Sequence, residues 1–192
     1  MNKGKIFVIS GPSGSGKDTL MAEIFKKRPD IKFSISSITR PMRVGEVEGQ
    51  KYNFISREKF EEMLEKDMFL EHNEFVGNYY GTPKQPVLDA ADNGFNILIE
   101  VDVNGADQIR AKLPQALSIF IMPPSVEVLM QRLSGRGTET EDIIAKRMES
   151  ALSEMARSKE YDYTVINDDI QTAVDEIIAI IPGPLYYRPY RP

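Results

Sequence analysis

Ile6-Phe-Val-Ile-Ser-Gly11-Pro-Ser-Gly14-Ser-Gly16-Lys17-Asp18-Thr19 is the stretch whose reading decides the fold. Residues 6–9 are a continuous apolar run, as a strand buried on both faces requires. A loop with Gly11, Gly14 and Gly16 follows, and then Leu20, Met21, Ile24 and Phe25 make one apolar stripe of a helix that Pro29 stops. Strand, glycine loop, lysine and helix in that order make a phosphate cradle. Glycines let backbone N–H groups turn inward on a polyanion, the helix N-terminus adds partial positive charge, and Lys17 supplies a mobile cation. The candidate triphosphate site is therefore Gly11, Pro12, Ser13, Gly14, Ser15, Gly16, Lys17, Asp18 and Thr19.

Gly11-x4-Gly16-Lys17 fits the P-loop pattern, but Asp18 stands where that pattern has Ser or Thr. The missing hydroxyl is the group that holds magnesium. A carboxylate oxygen is a good ligand for a hard cation, which makes Asp18 the candidate metal ligand despite its negative charge beside phosphates. The hydroxyl of Thr19 points about 100° further round the helix.

Outward from this stretch, the totals narrow the class. A chain of 192 residues suits one domain, or a core with insertions. With 24 Lys and Arg against 29 Asp and Glu, the net charge is −5. That balance argues against indiscriminate nucleic-acid binding, so anionic substrates must be met by local arginines. Without cysteine there are no disulfides or thiolate metal sites, which fits a reducing compartment. No apolar run approaches the ~20 residues of a membrane span, so the expectation is a cytoplasmic protein with no membrane partner.

After the first helix, Phe33 and Ile35 suggest a short strand, and residues 40–45 form a loop carrying Arg40 and Arg43. Ser56 is the N-cap of a helix with Phe60, Met63 and Leu64 on one side. Residues 68–76 and 77–83 read as strand and turn. The core resumes with a helix over 87–92, a strand over 95–101, a helix over 106–113 and a strand over 117–122. Glu100 and Asp102 fall near the C-terminal end of the first of these two strands, where open α/β sheets gather their chemistry. Strands alternating with helices predict an α/β fold with a parallel, doubly wound sheet.

Ser125 opens a helix that ends near Gly135, and a second helix runs over 141–159. Arg132 and Arg136 lie one turn apart and Arg147 three turns beyond, a spacing that allows all three to face one side of this helical hairpin, a candidate lid over a phosphate site. A last strand at 162–167 and a helix with Ile170, Ala173, Val174, Ile177, Ile178 and Ile181 in register complete the core. Residues 182–192 are a tail rich in Pro, Tyr and Arg, expected to be disordered or to pack on the domain or a neighbouring subunit, which leaves a homodimer open.

Taken together, these blocks resemble the guanylate kinase family over nearly the whole chain. The most specific part is Ser36-Ser-Ile-Thr-Arg40-Pro-Met-Arg43-Val-Gly45-Glu46 through Tyr52-Asn-Phe54, backed by Gly77-Asn-Tyr79-Tyr80-Gly81-Thr82 and Arg136-Gly-Thr-Glu139. The resemblance implies an enzyme that phosphorylates GMP, and dGMP, from ATP with Mg2+. It implies a P-loop core (about 4–34, 84–124 and 160–182), an inserted GMP-binding subdomain (about 35–83) and a helical lid (about 125–159). It implies that Arg40, Arg43, Tyr52 and Tyr80 bind the GMP phosphate and that Ser36, Glu71 and Thr82 read guanine. Glu100 and Asp102 close that pocket. The resemblance further implies that Lys17, Arg40, Arg132, Arg136 and Arg147 serve the transfer and that Asn167 lies near the adenine. The residue types suit these roles. A carboxylate accepts from both N–H donors on the guanine edge, and arginines bind phosphate oxygens in pairs.

Two other readings stand beside this one. The Gly-Lys-Asp loop also resembles ribose 1,5-bisphosphate kinases, and the fold is shared by guanylate-kinase-like scaffold modules that bind peptides and no longer catalyse. Glu71 with the Tyr79-Tyr80 turn opposes the first, and the intact Gly11, Gly14, Gly16 and Lys17 oppose the second.

Overall fold

A computed structural model describes residues 3–135 and 141–183. The chain divides into two compact units, one formed by the residues up to Val8 and Ile31–Leu117, the other by Ile9–Asp30 and the residues from Ser118 on. The boundary falls inside β1 (Ile6–Ser10), all five of whose residues are buried.

In the first unit the sheet order is β2 (Lys32–Phe33), β7 (Ile97–Glu100), β1, with β2 and β7 parallel. A second sheet has the order β4 (Tyr52–Phe54), β3 (Ser36–Ile38), β6 (Asn78–Pro83), β5 (Phe69–Phe75). Within it β6 runs antiparallel to both β3 and β5. Helices α2 (Arg57–Glu65), α3 (Lys84–Asp92) and α4 (Val103–Lys112) belong to the same unit. Ser56 caps α2 by accepting from the Lys59 N–H, as its place before the apolar stripe predicts.

In the second unit the sheet order goes on from β1 to β8 (Leu117–Met122) and β9 (Tyr163–Ile166), the last two parallel. Around them lie α1 (Lys17–Lys27), α5 (Val126–Ser134), α6 (Glu141–Ala156) and α7 (Ile170–Ile180). The Ser125 and Asp169 side chains cap α5 and α7. Leu129 and Leu133 of α5 pack on Met148 and Ala151 of α6, with Met155 beside them, and this apolar contact makes the two helices a hairpin.

Three local expectations change. The turn read over 77–83 is confined to Val76 and Gly77, both at positive φ (49° and 71°), and residues 78–83 are strand β6, because Tyr79 and Tyr80 pair in register with Glu74 and Asn73 of β5. The strand read around Phe33 and Ile35 is two strands, β2 and β3, which join different sheets. Helix α4 begins at Val103, earlier than read, because the Asp102 carboxylate accepts from the Gly105 N–H at 2.7 Å and caps it. Phe95 is left outside β7 and exposed. The tail from 184 on lies outside the described residues.

Candidate active site

The glycine loop of the second unit is a preformed nest. Gly11 has φ 149°, and a Cβ there would sit 2.4 Å from the Ile121 carbonyl oxygen. Gly16 is the left-handed N-cap of α1 (φ 88°), and a Cβ there would meet the Asn167 amide nitrogen at 2.4 Å. Only glycine satisfies both positions. Lys17 folds back so that Nζ donates to the Gly11 and Pro12 carbonyls at 2.5 and 3.1 Å. Asp18 and Thr19 are exposed on the first turn of α1.

Three distant side chains reach this nest. Arg147 donates from Nη2 to the Ser13 hydroxyl at 2.6 Å. Arg132 donates from Nη2 to the Asn167 carbonyl at 3.2 Å, while its buried Nη1 meets no described acceptor and lies 4.0 Å from the position of a Gly16 Cβ. A buried guanidinium N–H without a partner is costly, and an anion in the nest would satisfy it. Asn167, expected beside an adenine, is 2% exposed and donates to the Ser15 carbonyl at 2.7 Å. It braces the underside of the loop. Arg136 lies outside the described residues.

A second site lies wholly within the first unit. Ser36, Arg40, Arg43, Tyr52, Glu71, Tyr80, Glu100 and Asp102 all line one cavity of ≈ 410 Å³. The strand period explains part of this convergence, since Glu71, Asn73 and Phe75 alternate onto one face of β5 and Tyr80 stands opposite Asn73 on β6. Glu71 is 6% exposed and accepts from the Thr82 hydroxyl at 2.6 Å. Burial pushes the Glu71 carboxyl up to about 7; the Thr82 hydroxyl opposes the rise and the nearby Asp102 charge adds to it. Thr82 itself is fully buried behind Glu71 and does not line the cavity. Its place fits orientation of the carboxylate.

Arg40 is 9% exposed, with Tyr52 and Phe54 rings 5.4 and 5.6 Å from its guanidinium carbon. Both its Nη groups donate to the Glu46 carboxylate, at 2.6 and 2.5 Å, and that carboxylate also accepts from the Arg43 N–H at 2.7 Å. The Arg40 pair raises the guanidinium's proton affinity further and holds Glu46 down to about 2. Glu46 does not line the cavity, so it grips Arg40 from outside while Arg40 still borders the opening. The sequence assigns Glu46 no role; its one signal there is a carboxylate six residues after Arg40. Glu100 lies 3.3 Å from Lys51. Asn73 and Phe75 also line the cavity and were not singled out in the sequence, because only strand register brings them there.

Comparison with known proteins decides the family. The family profile described as Guanylate kinase matches residues 3–182. The chain is 47% identical to the guanylate kinase of Carboxydothermus hydrogenoformans over 94% of this chain and 89% of that protein. It is 44% identical to that of Escherichia coli over 94% of this chain and 88% of that protein. The crystal structure of guanylate kinase from Anaplasma phagocytophilum aligns with TM-score 0.75 at 33% identity, covering 93% of this chain and 85% of that one. The chain belongs to the guanylate kinase family. Membership makes it an enzyme of the kinase class with a P-loop fold, and it places both sites inside the matched region. Among the described residues no helix is long and apolar enough to cross a membrane.

Proposed function

We propose that the chain transfers the γ-phosphoryl group of ATP to GMP, and to dGMP, giving ADP and the nucleoside diphosphate. The observation that carries the acceptor assignment is the buried carboxylate of Glu71 in a cavity that also presents Arg40, Arg43, Tyr52 and Tyr80. A guanine edge supplies two N–H donors to Glu71, and its phosphate takes the guanidinium and phenol donors. The nest at Gly11–Lys17, with Arg132, Arg147 and Arg136, takes the triphosphate. In this reading residues 35–83 form the acceptor subdomain, 125–159 the lid, and the remaining core carries the nest.

Phosphoryl transfer needs little covalent help from a protein, so the residues act by position and charge. The GMP phosphate attacks the γ-phosphorus in line, and no general base is required because that phosphate is already ionised near neutral pH. Lys17 leaves its contacts with the Gly11 and Pro12 carbonyls for the terminal phosphates. Arg40, Arg132, Arg136 and Arg147 offset the charge on the transferred group. Magnesium, when bound with ATP, supplies charge neutralisation between the phosphates. The described residues contain no cluster of three metal-ligating side chains, which suits an ion held mainly by the nucleotide with one carboxylate, Asp18.

The test is ATP consumption with GMP, dGMP, AMP and ribose 1,5-bisphosphate assayed side by side. Turnover with the two guanine nucleotides alone supports the proposal, whereas turnover with the ribose bisphosphate and not with GMP replaces it. Absence of both ATP and GMP binding by calorimetry favours a scaffold.

Two expected outcomes follow from the geometry. Asp18→Ser, which restores the P-loop hydroxyl, retains activity because the serine takes over the metal; a folded but inactive variant shows that the carboxylate has another duty. Guanosine affinity rises with pH through about 7, because Glu71 must be ionised to accept two N–H groups and burial holds it protonated below that value. Guanosine is the probe because the GMP phosphate itself titrates near pH 6. Calorimetric titration between pH 5.5 and 8.5 that gives a flat profile removes Glu71 from base recognition.

A further inference from the structure

The cavity contains an amide that no role above uses. Asn73 sits on β5 between Glu71 and Phe75, and its side chain points into the cavity with theirs. Its Nδ2 donates to Oδ2 of Asp102 at 3.0 Å. Because a carboxylate offers only acceptors, the amide nitrogen must be the atom that faces Asp102. The other Asp102 oxygen, Oδ1, accepts from the Gly105 N–H at 2.7 Å as the cap of α4. Asp102 is thus held from two sides, by a helix N-terminus and by a strand.

The strand is itself anchored where Asn73 needs it. Gln108 of α4 closes a two-bond ring with the backbone of His72, accepting from its N–H at 3.1 Å and donating to its carbonyl at 2.9 Å. β5 is the edge of its sheet, and this pairing fixes that edge one residue before Asn73. A cross-link so placed is more than packing, since Asp102 is one of the charges that Glu71 feels.

We propose that Asn73 is a positioning residue of the acceptor pocket, whose N–H group holds the Asp102 carboxylate in place beside Glu71 and so sets the affinity for the guanine nucleotide. The inference rests on the acceptor reading above. Without the donor, Asp102 keeps only its helix cap and its charge turns more freely on Glu71 and on the incoming phosphate. With a carboxylate at 73 the two acids repel and the cavity gains a second unbalanced charge.

The test is calorimetric titration of GMP, and separately of ATP, into the full chain as wild type, Asn73→Ala, Asn73→Asp and the exchange Asn73→Asp with Asp102→Asn, with a melting curve for each. Because the lost hydrogen bond acts on GMP only through Asp102, part of its worth reaches the ligand, and GMP is weakened by about threefold to tenfold in Asn73→Ala and by more than about tenfold in Asn73→Asp, with ATP unchanged. The exchange restores a donor opposite an acceptor, keeps the net charge and an N-cap, and recovers most of the loss. A role in shape alone gives the opposite order, with the isosteric Asn73→Asp milder than Asn73→Ala, and overturns the inference. So does an exchange variant as weak as Asn73→Asp, or equal losses for ATP. If Asn73→Asp does not fold, the exchange against Asn73→Ala decides the same question. Wild type that binds no GMP overturns the proposed function, and this inference with it.

Discussion

Glu71→Gln is expected to weaken GMP by roughly 10²–10⁴-fold while leaving ATP unaffected, somewhat less than the ~10⁴–10⁵ by which a site built to hydrogen-bond a ligand group discriminates, because glutamine keeps one of the two acceptor atoms. The substitution preserves shape and removes one acceptor, putting an amide donor against a guanine donor at the floor of the cavity. Glu71 belongs to one compact unit and the glycine loop proposed for the triphosphate to the other, so the effect is expected on the acceptor. The same variant separates recognition from folding. The Glu71 carboxyl is raised in the fold from 4.5 to about 7, so its contribution to stability is full below 4.5 and is lost as pH rises through about 7. The loss is on the order of 3 kcal/mol. Glu71→Gln therefore melts higher than wild type at pH 8 while binding GMP worse. Equal losses of GMP and ATP affinity, or a lower melting temperature at pH 8, would count against a buried guanine acceptor.

Lys17→Met is expected to lower kcat by about 10²–10³-fold or more, the cost of removing a preorganised charge aimed at a transition state. The chain has prepared this cation. Its Nζ rests on the Gly11 and Pro12 carbonyls within the glycine loop, so the charge is already held at the site proposed for the triphosphate and these two contacts are exchanged for phosphate oxygens. Methionine keeps the aliphatic stem and the packing of the α1 N-terminus, so the fold and GMP binding are retained. Single-turnover kinetics with saturating ATP and GMP, together with GMP titration, measure both halves. Activity within tenfold of wild type would mean that the lysine is a structural prop for the loop.

Much of β1, the glycine loop and the helices α1 and α5 was legible because their signals are local. The apolar run at residues 6–9, the glycine spacing and the stripe of α1 each need only a few neighbouring residues to be read, and Ser125 announces α5 in the same way. The acceptor sheet was less legible. β6 carries Tyr79, Tyr80, Gly81 and Thr82, a polar and aromatic mixture without alternation of hydrophobicity, so it read as a turn until pairing with β5 gave it a register. For Asn167 the structure adds a buried hydrogen bond that braces the loop at Ser15, which nothing local in the sequence tells.

By itself, then, the sequence determined that a glycine loop ending in Lys17 stands between a buried strand and a helix, and that arginines, tyrosines and a carboxylate of the types suited to a purine monophosphate accompany it. Only the tertiary structure decided that Glu71 is buried enough to hold its proton near neutral pH, that Glu46 grips Arg40 from behind the cavity, and that Asn73 reaches Asp102. The physical reason is range. Residue type and spacing act through bonds and a few turns of backbone, whereas burial, cross-strand register and paired charges depend on groups brought together from distant parts of the chain.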